Sequence, residues 1–163
     1  MPPIVAGQLL AVDLGLSTGF ACYERSGRLV RVGSRRFGSR TQLRGGAEAL
    51  LREIGDVEVV VLEGDRDLAA LWAARAHRRG AGTLTVTPER WRAALLHPRE
   101  RRSGAEAKRA ARRLATEVAT ELGAAPRTAL RHDAAEAVLI GLWGLVAAGW
   151  LEQLPAVADP RRR

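Results

Sequence analysis

LLAVDLGLSTGFACYE, residues 9–24, is the stretch on which the reading of this chain turns. An apolar run ends on an acid, Asp13, and a turn containing Gly15 and Gly19 leads into a second apolar run. That is the pattern of two strands joined by a glycine-bearing connection. Locally, Asp13 fits three roles: part of a phosphate-binding loop, a metal ligand, or a turn-former at a hairpin tip. The choice depends on the rest of the chain.

Working outward, QLLAVD (8–13), TGFACYE (18–24) and RLVRVGSRRF (28–37) read as three short strands, with SGR at 26–28 as the second turn. TQLRGGAEALLREI (41–54) has helical leucine spacing weakened by Gly45 and Gly46. VEVVVLE (57–63) is a β-branched run typical of a strand buried on both faces. DRDLAALWAARAHRRG follows as an amphipathic helix stopped by Gly80, with Asp65 and Asp67 at its positive end. TLTV (83–86) is a fifth strand, and Thr87-Pro88 starts another helix. A charged loop (97–104), a helix over about 105–122 and a final helix over about 132–150 complete the order. Antiparallel strands followed by alternating strands and helices predict an α/β fold, with a mixed five-stranded sheet covered by helices on both faces. Residues 1–155 are expected to form one domain, and 156–163 a disordered basic tail.

Composition narrows the function. The chain has 163 residues, and its 26 basic against 18 acidic residues give a formal charge of +8, with a pI near 11.3. Twenty-five of the 26 basic residues are arginine. Codon bias accounts for arginine over lysine but not for the excess of positive charge, which is the footprint of a nucleic-acid binder. The single cysteine, Cys22, excludes a disulfide framework and a cysteine-based zinc site, and reads as a small core residue. The N-terminus lacks the basic segment of a secretion signal. The longest apolar run, AVLIGLWGLVAAGWL at 137–151, is shorter than the ~20 residues of a membrane span. A cytoplasmic, nucleoid-associated protein without membrane contact is expected.

Three places put an acid where local structure does not need one. Asp13 ends the first strand, Glu63 ends the most apolar strand, and Asp133 and Glu136 share one face of an otherwise apolar helix, RHDAAEAVLIGLWG. Burying carboxylates is costly unless they are paired, protonated or bound to a cation. If the first and fourth strands are neighbours and the last helix crosses them, four carboxylates converge. Mg²⁺, or Mn²⁺, would relieve their repulsion, and two ions about 3.5–4 Å apart would serve phosphodiester hydrolysis. Each acid also has a local alternative: Asp13 as a turn residue, Glu63 as the cap of the next helix, and Asp133 with Glu136 as a capping pair.

DLGLSTGFA at 13–21, VVVLE at 59–63 and HDAAEA at 132–137, in that order, resemble the RuvC Holliday junction resolvases. The intervening ALWAARAHRRG, TPERWRAALL and SGAEAKRAARRLA follow the family's order, so the resemblance spans about residues 8–150. It implies a ribonuclease-H-like fold, a homodimer acting on branched DNA in recombination and repair, and two-metal catalysis. Asp13, Glu63, Asp133 and Glu136 would then be the metal ligands. Lys108 falls near a basic residue used close to the scissile phosphate, and Arg92 matches another basic position. Lys108 is also the chain's only lysine, a compact point charge among guanidinium forks. Arg99, Arg101 and Arg102 of the charged loop, with Arg66, are further candidate DNA contacts. His132 could orient a ligand, assist proton transfer or cap its helix.

The chain departs from the bacterial pattern in three ways. EGDRDL, after the strand acid, offers Arg66 where those resolvases carry an aromatic that wedges or stacks at the junction. The fourth acid is Glu136 where aspartate is commoner, and the glycine turn is one residue shorter. These features resemble phage-borne or otherwise divergent members. Leu68, Leu71 and Trp72 form the expected dimer face; Trp72, Trp91, Trp143 and Trp150 read as core or dimer contacts rather than base-stacking platforms, with Trp91, between two arginines, the first exception if one stacks. Alternatives are a nuclease of the same fold acting on structured RNA, such as pre-ribosomal RNA, and a non-catalytic DNA-binding module. Sugar kinases and actin-like proteins share a DLGLSTGFA-like phosphate motif but need a second domain, for which this chain has no room. The resemblance names no partner motor.

Overall fold

Alternation along the central strands determines the layers. A computed structural model describes residues 7–123 and 125–163. In β1 (Gln8–Asp13), Leu10 and Val12 face one side while Leu9 and Ala11 face the other. The same division runs through β2 (Ser17–Tyr23) and most of β4 (Val57–Glu63), while β3 (Leu29–Arg36) and β5 (Gly82–Val86) add apolar residues to the second side alone. The sheet order is β3-β2-β1-β4-β5. β2 runs antiparallel to both its neighbours, β1 and β3, whereas β1, β4 and β5 run parallel. This is the expected mixed five-stranded sheet.

On one face, Leu10, Val12, Phe20, Cys22, Val60 and Leu62 pack beneath α1 (Arg40–Ile54) and α2 (Arg66–Arg78). On the other, Leu9, Ala11, Ala21, Tyr23 and Val61 pack beneath α3 (Pro88–Leu95), α4 (Gly104–Leu122) and α5 (His132–Ala147). A short 3₁₀ turn, Pro98–Arg101, occupies the charged loop. α5 ends at Ala147 rather than near 150, and Gly149 (φ +75°) turns the chain away.

α5 lies unusually close to the sheet. A Cβ on Gly141 would fall 2.4 Å from the Tyr23 ring, and one on Gly144 would fall 2.6 Å from Val61. The Tyr23 hydroxyl donates to the Val138 carbonyl at 2.6 Å, satisfying the one polar atom this apolar contact buries.

Two expectations need correction and one is met. Leu68 and Trp72 are buried, and Trp72 belongs to the core layer under α2, so this helix face is already used within the chain and is not free for a second copy. Trp91 is the core residue its main reading made it, fully buried in the layer under α5, and offers no face for a base. The C-terminal residues are packed, not loose. Ala158 is fully buried, and Asp159 accepts from the Arg161 backbone and guanidinium. Arg163 donates to the Leu95 carbonyl at 2.8 Å and pairs with Glu100. The arginines that read as a solvated tail instead meet acids and a helix end. Among the described residues, no helix is long and apolar enough to cross a membrane.

Candidate metal centre and its basic surround

Asp13 and Glu63 stand opposite one another on the parallel neighbours β1 and β4. Both occupy odd positions, the parity of Leu9, Ala11 and Val61, so both side chains project toward α5. Glu136, in the first turns of α5, completes the group. Asp13, Glu63 and Glu136 each offer a carboxylate oxygen within 4.8 Å of the others. Glu63 and Glu136 are each only 5% exposed.

The second glycine of DLGLSTGFA makes this approach possible. Gly19 pairs with Asp13 across the β1–β2 ladder, and a Cβ there would lie 2.0 Å from the Asp133 carbonyl oxygen. The first turn of α5 therefore rests directly on the β2 backbone.

The local alternatives for these acids fall away. α2 is capped by Asp65, which accepts from the Asp67 and Leu68 amides at 2.8 and 3.0 Å, so Glu63 has no capping task. α5 has Arg131 at its N-cap and no side-chain cap bond, so Asp133 and Glu136 do not form a capping pair.

Asp133 lies beside the trio but is not one of it. Its Oδ2 accepts from Ser17 Oγ at 2.7 Å, and its Oδ1 accepts from the Ser34 hydroxyl and from the Ala134 amide. Burial works to raise its pKa, but the Ser34 and Ser17 hydroxyls, the Ala134 N–H and the Arg131 charge together hold it below the usual carboxylate range. Asp133 is thus an ionised anchor joining α5 to β2 and β3.

The trio behaves oppositely. Burial, then the charges of Glu136, Glu63 and Asp133, push the Asp13 pKa up to about 8, with Arg92 opposing. Burial and Glu136 push Glu63 up to about 7; Trp91 and Arg92 oppose, although the Trp91 indole N–H closes no hydrogen bond. Protons thus occupy a site built from oxygen donors, which is what three crowded carboxylates require when no cation is bound. The donor set fits a hard divalent cation such as Mg²⁺.

Glu136 is held from the outside. Arg92 donates to its Oε1 at 3.0 Å, and His132 Nε2 lies 3.2 Å from the same oxygen. Among the described residues, no hydrogen bond reaches Oε2. Arg92, expected as a DNA contact, is therefore engaged at the carboxylates. His132, one turn before Glu136, orients that acid.

A basic cleft shares His132 with the centre. Lys108 is exposed on α4 and lines that cleft with Arg109, Arg112, Arg113, Thr116 and His132, the residue that also reaches Glu136. Arg101 lines a second depression with Arg92 and Glu89. Arg66, Arg99 and Arg102 are exposed at the start of α2 and along the 3₁₀ segment. Among the described residues, Arg66, Arg99, Arg101, Arg102 and Lys108 enter no ion pair within the chain.

Sequence reasoning missed Ser17, Ser34 and the closeness Gly19 permits. Ser17 lies inside the opening motif, and Ser34 interrupts a strand of valines and arginines; those were the available signals. Each hydroxyl bonds an ionised carboxylate. Ser34→Ala and Ser17→Ala are each expected to cost about 1.5–3 kcal/mol in urea unfolding. Unchanged midpoints would show that Asp133 is not anchored in this way.

No protein-family model and no curated protein matches the sequence. Among solved structures, the chain is similar to T. thermophilus RuvC in complex with a Holliday junction substrate, at 15% identity and a TM-score of 0.59, covering 88% of this chain and 96% of that one. The catalytic core domain of BIV integrase is also matched, at 16% identity and a TM-score of 0.36, over 82% of each chain. The first likeness, with the sheet order above, establishes a ribonuclease-H-like fold.

Proposed function

We propose that this protein is a metal-dependent endonuclease that cuts branched DNA, Holliday junctions foremost. The convergence of Asp13, Glu63 and Glu136, two of them with pKa values pushed up by burial and by Glu136, is the observation that carries this reading. The net charge of +8 and the unpaired cations around the centre support a phosphate-rich substrate. The structural likeness to a junction-bound resolvase supports the choice of DNA.

Asp13, Glu63 and Glu136 would hold Mg²⁺ or Mn²⁺, two ions per site, with Asp133 as the fourth acid. Bound divalent ions supply Lewis acidity for phosphodiester hydrolysis. The chain's own residues do the rest. Arg92 and His132 fix Glu136 through Oε1 and leave Oε2 for a ligand role. Ser17 and Ser34 keep Asp133 ionised and immobile. Lys108 neutralises the phosphate nearest the cut, and Arg66, Arg99, Arg101 and Arg102 align the flanking backbone. Two copies would deliver paired cuts to a two-fold symmetric junction.

The test is a panel of labelled four-way junctions, forks, nicked and intact duplexes and structured RNA, incubated with Mg²⁺ or Mn²⁺. Paired nicks in the junction, with intact duplex spared and EDTA abolishing the reaction, are expected. Preferential cleavage of the RNA would transfer the chemistry to a different substrate. Binding without cleavage in either metal would leave a DNA-binding module.

A further inference from the structure

Leu16 stands out against the rest of the surface. Among the described residues only two large hydrophobic side chains are exposed, Leu16 at 43% and Val30 at 37%. Val30 lies on the edge strand β3, toward the end remote from the carboxylates. Leu16 lies in the β1–β2 turn, three residues after Asp13 and immediately before Ser17, whose hydroxyl bonds Asp133.

A lone exposed leucine is ordinary on a mobile loop. This turn is tied down at every step. The Leu14 amide donates to the Glu63 carbonyl at 2.9 Å, and the Thr18 hydroxyl to the Gly15 carbonyl at 2.7 Å. The Leu16 carbonyl itself accepts from the Phe37 amide at 2.8 Å. The backbone is fixed while the side chain stands in water. A cation lies beside it: Arg36 is the cross-strand partner of Ser17, and a second, Arg66, opens the helix that follows Glu63. Both are exposed, and neither enters an ion pair among the described residues. A rigid apolar tip beside a free guanidinium group is complementary to a ligand with an anionic backbone and apolar faces inside it, namely a nucleic-acid strand whose bases are unstacked.

We propose that Leu16 is a wedge. It enters the base stack beside the phosphate presented to the carboxylates, so that the site favours DNA already unstacked at a branch over continuous duplex. Intact duplex would have to be unstacked first, whereas a branch point has already lost that stacking. The inference rests on the nuclease reading and names what that site selects.

The test uses the full chain. Asp13→Asn protein is mixed with a four-way junction carrying 2-aminopurine beside the branch, and fluorescence reports unstacking. Brightening is expected on binding. Adding Leu16→Ala should remove the brightening and reduce the preference for junction over duplex about tenfold, as loss of one leucine's apolar contact implies. Leu16→Met should restore both. Thermal unfolding of each variant verifies that the fold is kept. Equal brightening with Leu16→Ala overturns the proposal. So does a fall in particle mass on light scattering with unchanged fluorescence, which makes Leu16 a contact between copies. Wild-type cleavage with Mg²⁺, run in parallel, separates the two readings. If the wild type cuts DNA and Leu16→Ala brightens it normally, only the wedge fails. If the wild type neither cuts nor binds DNA, the nuclease reading fails and the wedge with it.

Discussion

Replacing Asp13 with asparagine is expected to abolish metal-dependent cleavage, by at least about 10³-fold, while making the metal-free protein more stable at alkaline pH. The two effects share a cause. The Asp13 pKa is about 8 in the folded chain against an ordinary 3.8, and that of Glu63 is about 7 against 4.5. Between these limits the native state retains protons that the unfolded chain has released. Stability from these groups is therefore fully present below about pH 4 and is lost as pH rises through 7 and 8. The carboxylates held below their usual range, Asp133, Glu53, Glu100 and Asp159, act in the opposite sense but at lower pH. A window from pH 5 to 9 thus isolates the centre.

Wild-type Tm without metal should fall across that window, and Asp13→Asn should flatten the fall. Mg²⁺ should restore wild-type Tm mainly at the alkaline end, because its ligands must first lose their protons. An Asp13→Asn protein that cleaves normally would refute the metal assignment. A wild-type Tm that rises with pH would refute the electrostatic one.

Gly19→Ala is the second large effect. The added methyl would meet the Asp133 carbonyl oxygen at 2.0 Å and its carbon at 2.1 Å. These are backbone atoms, so no side chain can rotate away. Either β2 bends or the N-terminal turn of α5 lifts, and α5 is buried along most of its length. Overpacking of this kind costs about 1–3 kcal/mol, and the upper end is expected here. Displacing the turn also moves Glu136, so cleavage should fall with stability. Gly45→Ala is the matched control. It lies inside α1 with nothing within 4 Å of the new methyl and should gain about 0.5–1 kcal/mol. Urea unfolding of the two variants side by side decides the matter. Equal stability and activity in Gly19→Ala would mean that the close approach does not position the site.

These effects also mark what could be read in advance. Strand periods, helix caps and the placement of Asp13, Glu63 and Glu136 were legible, because alternation and capping are local rules. Contacts between distant segments were less so. Nothing in the spacing of Leu68 and Trp72 says whether the partner is another copy or the chain's own core, yet both are buried within the chain and Trp72 packs in the layer under the sheet. Trp91 sits between two arginines in sequence, yet helical geometry turns it inward while Arg92 reaches Glu136. Arg163 looked like part of a solvated run because its acceptors, Glu100 and the Leu95 carbonyl, lie some sixty residues away in sequence. Asp133 counted as one of four equals until the hydroxyls of Ser17 and Ser34 set it apart.

The order in which the three acids occur along the chain bears on how the site is assembled. Asp13 and Glu63 come early and sit side by side on β1 and β4, but Glu136 belongs to α5, which packs across β1, β2 and β4. A chain lacking α5 has two carboxylates on adjacent strands and no third. The cluster is therefore complete only when a segment more than seventy residues beyond Glu63 has docked on the sheet.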